Sequence, residues 1–118
     1  MKFPKISDIA TTDVVSVDIN ETIFNAMELM FKHEHRNIVV KEGAVFRILT
    51  VTDILYIKER KIDTNSSLKI LKLAAVPIVN KNKSVLHTVE FLSYNIEYIC
   101  AVNDDGSLYG LITHTDII

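Results

Sequence analysis

Apolar and polar positions along the chain fall into one order, and the order occurs twice. Each copy opens with a short segment, Ser7 to Ala10 and Leu68 to Lys72, followed by a strand, Val14 to Val17 and Val76 to Val79. Pro77 lacks a backbone N–H, which places the second of these strands at a sheet edge or makes the proline its start. Thr22 to Glu34 and Ser84 to Asn95 then read as helices. Asn25, Glu28 and Lys32, matched by His87, Glu90 and Tyr94, paint one solvent stripe at helical spacing. Ile23, Met27, Met30 and Phe31, answered by Val85, Val89 and Leu92, form the faces expected to pack on a sheet. Asn20 and Asn82 stand as N-caps. Asn37 to Val40 with Ala44 to Thr50, and Ile99 to Val102 with Leu108 to Thr113, read as strand pairs joined by Gly-containing turns.

Each strand pair ends in the same signature, Thr50-Val51-Thr52-Asp53 and Thr113-His114-Thr115-Asp116, followed by apolar residues. Hydroxyls and a carboxylate at a strand-to-helix junction can cap the helix, because they accept from its free N–H groups. The same groups can hold a polyhydroxyl ligand, with Asp accepting from a diol and Thr meeting phosphate beside the helix N-terminus. Laid over itself, the chain aligns 6–56 with 68–118 at an offset of 62, which becomes 63 after the hairpin lengthens from Lys41-Glu42-Gly43 to Asn103-Asp104-Asp105-Gly106. The first copy's closing helix runs from about Asp53 to Lys61, and Asp63 to Ser67 forms a linker. The expected units are therefore 1–62 and 63–118, each β-α-β-β-α in an α+β fold, the second with its last helix cut short.

Composition narrows the function classes. Nearly half of the 118 residues are apolar and only three are glycine, as in an ordered globular protein. Net charge is −2 with scattered basic residues, so neither nucleic acid nor an anionic membrane surface is indicated as a partner. No apolar run reaches the ~18 residues of a membrane span. Cys100 is the lone cysteine, inside an apolar run, which suits an inert buried thiol and a cytoplasmic setting. His33 and His35 diverge at i and i+2 on a helix with no Cys or carboxylate set to complete a metal site. No catalytic motif appears, so neither an enzyme nor a cofactor is expected.

The tandem β-α-β-β-α unit closing on apolar-apolar-Thr-x-x-Asp resembles the CBS domain family, whose members pair as a Bateman module. Ile6 to Val17 is similar to that family's opening and Gly110-Leu111-Ile112-Thr113-His114-Thr115-Asp116 to its closing motif. The resemblance implies two units packed sheet to sheet about a pseudo-twofold axis, with clefts for an adenosine ligand such as AMP, ADP, ATP or S-adenosylmethionine. It implies ribose and phosphate contacts from Thr50, Thr52, Asp53, Thr113, Thr115 and Asp116, and a base held among Val15, Ile38, Pro77 and Ile99. His35-Arg36 resembles a His-Arg pair that some nucleotide-sensing members place against phosphates; the other reading is a solvated helix end. Glu97-Tyr98 stands there in the second copy.

Arg47 replaces the glycine that the second copy has at Gly110, so the second junction is expected to admit a ligand more closely, with Asp116 mattering more than Asp53. Arg47 either reaches a phosphate or lies in solvent. The function expected is a regulatory ligand-sensing module; the alternative is a structural dimerisation or protein-interaction domain with no nucleotide ligand. Surface left bare by the short last helix points to a homodimer, and a regulated partner protein fits the same surface.

Overall fold

A computed structural model of the chain describes residues 2–93, 96–113 and 116. Element order follows the pattern: α1 (Ile6–Ile9), β1 (Ser16–Asp18), α2 (Ile23–Lys32), β2 (Asn37–Glu42), β3 (Val45–Thr50), α3 (Val51–Glu59), a 3-10 turn (Leu68–Leu71), β4 (Ala75–Val76), β5 (Ile78–Asn80), α4 (Leu86–Ser93), β6 (Ile99–Val102) and β7 (Leu108–Ile112). The fold is α+β. Pro77 splits the expected strand 76–79 into β4 and β5, as a residue without an N–H should.

The chain forms two compact units, Val15–Ala75 and Met1–Val14 with Val76–Ile118. In the first, β1 runs parallel to β2, α2 making the crossover, and β2 pairs antiparallel with β3; β4, where the chain passes from one unit to the other, follows β3 in the sheet order. In the second, β5, β6 and β7 repeat the arrangement. The ladders refine the repeat: the offset is 62 from Ser16 to Ile78, 61 from Val39 to Cys100, and 63 from Ile48 to Leu111. The second copy has thus lost one residue ahead of β6 and gained two in the hairpin. Arg36 corresponds to Glu97, and His35 to Ile96, rather than to Tyr98 and Glu97.

The opening segments are exchanged between copies. Ile6, fully buried, joins Ile99, Ala101 and Ile112 in the core of the second copy's unit. Its N–H donates to the Lys83 carbonyl at 2.9 Å, and Tyr109 Oη donates to the Ser7 carbonyl at 3.1 Å. In the other unit Leu68 fills the same place beside Ile23, Met30, Ile38 and Leu49, and its N–H donates to the Glu21 carbonyl at 2.9 Å. Burying either aliphatic side chain is worth about 1.5–3 kcal/mol.

Helix starts and faces differ in detail from the pattern. Thr22, not Asn20, caps α2 by accepting from Asn25 N at 3.1 Å, and Ser84, not Asn82, accepts from Leu86 N at 3.2 Å. Asp18 and Asn80 take the Asn20 and Asn82 N–H groups in Asx turns, which uses those asparagines two residues ahead of the caps. The buried line of α2 is Ile23, Ala26 and Met30, leaving Phe31 70% exposed. Val85, just before α4, and Thr88 within it are buried while Val89 is exposed, and the Thr88 hydroxyl is satisfied there by donating to the Val85 carbonyl at 2.6 Å. The side chains of Leu92 and Tyr94 lie outside the described residues. Cys100 is buried and its thiol is pushed up to about 12 by desolvation, which keeps it protonated and unreactive.

Gly110 is required by packing of the opening segment. Thr11 and Leu111 exchange backbone bonds, each 2.9 Å, and a Cβ on Gly110 would lie 2.6 Å from the Thr11 carbonyl oxygen. Gly110→Ala should therefore cost about 1–3 kcal/mol through overpacking, read as a lower urea midpoint with an unchanged slope. An unchanged midpoint would show that Thr11 moves aside freely.

Candidate functional site

Both T-x-T-D junctions follow a strand, the first begins α3, and both carboxylates turn back onto the strand end. Thr50, in extended conformation, is the N-cap of α3. Asp53 Oδ2 accepts from Thr50 N at 2.8 Å and from Thr50 Oγ1 at 3.0 Å, while Asp53 N donates to Thr50 Oγ1 at 3.4 Å. This reciprocal box satisfies two helix-end donors. Asp53 Oδ1 accepts no bond from any described residue, and Asp53 is half-buried. Thr52 is exposed on the first turn of α3.

The second junction repeats the carboxylate half of the box and adds a tie. Asp116 Oδ2 accepts from Thr113 N at 2.8 Å and Thr113 Oγ1 at 3.2 Å, and Oδ1 accepts from Thr11 Oγ1 at 3.2 Å. Both oxygens are thus engaged, the second by the exchanged opening segment. His114 and Thr115 lie outside the described residues. Capping, the plainer of the two sequence readings, is made at α3, the second carboxylate folds back onto its strand end in the same way, and what distinguishes the copies is the acceptor left over on Asp53.

The premises that favoured the second junction do not hold. The space over Gly110 is taken by the Thr11 backbone rather than left for a ligand. Arg47 turns away from Asp53: its Nε and Nη2 each lie 3.0 Å from Glu42 Oε1, and Nη1 donates to the Leu73 carbonyl. Leu73 is the residue that the repeat aligns with Thr11, so the guanidinium meets the opening segment where the other copy uses glycine and backbone.

The register brings one predicted pair near the first junction. Asn37 pairs with Thr50, so Arg36 lies one residue beyond the sheet end that carries the Thr50–Asp53 box. His35 is half-buried, 6.1 Å from the His33 ring at the C-terminal end of α2, and Arg36 is exposed. Beyond β6, Glu97 stands in place of Arg36. Val15 and Pro77 are half-buried, and their carbonyls accept from Val39 N at 3.0 Å and Cys100 N at 2.9 Å. Ile38 and Ile99, at 1% and 0% exposure, belong to the cores of their own units and present no side-chain surface. Sequence reading missed Thr11; its one signal was a hydroxyl where the repeat has Leu73. Among the described residues no group of His, Cys, Asp and Glu is placed to hold a metal, and no helix is long and apolar enough to cross a membrane.

The CBS domain family pattern matches residues 6–59 and 69–118. The chain belongs to the CBS domain family. It carries a tandem CBS pair, and CBS pairs of this kind are typically regulatory, non-catalytic ligand-binding modules. Solved structures with the same fold include the hexameric CBS-CP12 protein from bloom-forming cyanobacteria, 22% identical with TM-score 0.78 over 98% of this chain and 66% of that one. CBS domain protein TA0289 from Thermoplasma acidophilum is 24% identical, TM-score 0.74, over 98% of this chain and 67% of that one. The CBS domain pair of protein MJ0100, solved in complex with 5-methylthioadenosine and S-adenosyl-L-methionine, is 20% identical, TM-score 0.74, over 97% and 96%. This chain thus spans about two thirds of the first two.

Proposed function

We propose that this CBS pair is a regulatory module in the cytoplasm that senses an adenosine-containing ligand, read chiefly at the first strand-to-helix junction. The observation that carries the reading is the free acceptor of Asp53: a half-buried carboxylate held rigid by its cap, with Oδ1 available to a ribose diol. Arg36 supplies a cation at the same end of the sheet for a phosphate or carboxylate, whereas Glu97 repels one beyond β6. Val15 is the apolar candidate for the base at this junction, in place of the buried Ile38, and Pro77 is its counterpart in the other unit, in place of the buried Ile99. The ligand complex of the MJ0100 pair supports the chemical class; Thr52 is a further candidate contact at this first junction, and Thr113, Thr115 and Asp116 remain candidate contacts in a second, weaker site.

Self-association is the second part of the proposal. Phe24, Met27 and Phe31 line an apolar groove on the outer side of α2, rimmed by Glu28 and Lys32. Glu and Lys one turn apart are self-complementary across a twofold axis, so a second copy of the chain is the fitting occupant. The hexameric CBS-CP12 neighbour supports assembly of the fold. The surface beyond Ile117-Ile118, from which the sequence suggested a dimer, lies outside the described residues.

Titration calorimetry with AMP, ATP and S-adenosylmethionine should detect at least one ligand. Asp53→Ala should weaken it about tenfold to a hundredfold, the worth of hydrogen bonds to a charged acceptor. Asp116→Ala should lower the unfolding midpoint and leave affinity nearly intact. A larger affinity loss at Asp116 would return the site to the second junction, and no binding of any of the three would favour a structural pairing domain. Sedimentation at tens of micromolar should show a dimer that Phe31→Asp converts to monomer; a monomeric unmodified chain would exclude the α2 groove as its interface.

A further inference from the structure

We propose that the cavity beside Arg47 is a separate binding site for a small polyvalent oxyanion of the phosphate or pyrophosphate class. The cavity, about 250 Å3, is lined by Ile19, Glu42, Arg47, Lys69, Lys72 and Leu73. It lies between the hairpin end of β2 and β3 and the 3-10 turn, away from the Thr50–Asp53 end of the same strands. It therefore does not depend on the adenosine reading.

Three cations face one carboxylate there, leaving two positive charges in excess in a partly desolvated space. Glu42 fixes the Arg47 guanidinium from one side and the Leu73 carbonyl from the other, so the cation is planted before any ligand arrives. Those bonds use Nε and part of Nη1 and Nη2, which leaves N–H groups on both terminal nitrogens for an oxyanion. Lys69 and Lys72 stand at the end of one turn, and neither makes an ion pair with a described residue. Lys72 holds a left-handed backbone, φ 50°, at a helix end where glycine is the unstrained choice. Its side chain still lines the cavity. Leu73, buried beneath, anchors the turn. Pockets for drug-sized ligands run from about 300 to 1,000 Å3, so this one suits a phosphoryl group better than a whole nucleoside.

The test is titration of the full chain with sodium pyrophosphate and inorganic phosphate at low ionic strength, beside adenosine and ATP. Pyrophosphate should bind one to one with a dissociation constant tighter than about 1 mM, more weakly as salt rises. Lys69→Gln with Lys72→Gln should weaken it at least about tenfold, while the unfolding midpoint and any response to adenosine stay unchanged, both lysines being exposed. If ATP loses affinity by the same factor, the oxyanion is the tail of a nucleotide; if ATP is indifferent, it is a free anion. Absence of saturable pyrophosphate and phosphate binding, or equal binding by the double variant, overturns the proposal.

Discussion

Each compact unit is completed by the opening segment of the other sequence copy, and that exchange is the constraint on which the rest of the structure rests. Ile6 closes the core under β6 and β7, and Leu68 closes the one under β2 and β3, through the same backbone bond to the residue before a helix cap. A copy taken alone would leave a buried aliphatic position empty and an apolar sheet face bare, a loss of several kcal/mol against the marginal stability of a small domain. Tandem repetition is thus a folding requirement here.

The same exchange makes the two junctions unequal. In the second unit the opening segment approaches β7 so closely that only glycine fits at position 110, and Thr11 arrives beside Asp116 and takes its remaining oxygen. In the first unit Arg47 meets the corresponding carbonyl of Leu73 with its side chain, Asp53 is bonded by Thr50 through Oδ2 alone, and its Oδ1 accepts no bond from any described residue. The Gly110/Arg47 and Thr11/Leu73 differences therefore decide three things together: how the segment docks, which carboxylate is available, and where a cationic cavity forms.

Much of this was legible in the sequence. The repeat, the element order, the capping role of T-x-T-D and the hairpin turn at Asp105-Gly106 follow from local chemistry, because hydrophobic period and turn residues act within a few positions. Residues that depend on non-local packing were not legible. Gly110 and Arg47 looked like statements about ligand access because their partner, the opening segment, lies far away in sequence. Val89 and Phe31 were placed inward by periodicity, whereas the buried line is set by how each helix sits on its sheet, and Thr88 enters it by bonding its own turn. The one-residue loss ahead of β6 shows only in strand register, and it changes which residue answers Arg36.

The central claim is that Asp53, not Asp116, is the carboxylate free to meet a ribose. Carbon-13 spectra of the side-chain carboxyls, assigned by Asp53→Asn and Asp116→Asn, report this directly during titration with whichever adenosine ligand binds. The account predicts that the Asp53 signal moves with saturation while the Asp116 signal, tied to Thr11 and Thr113, stays in place. Movement of Asp116 with Asp53 unmoved would contradict it.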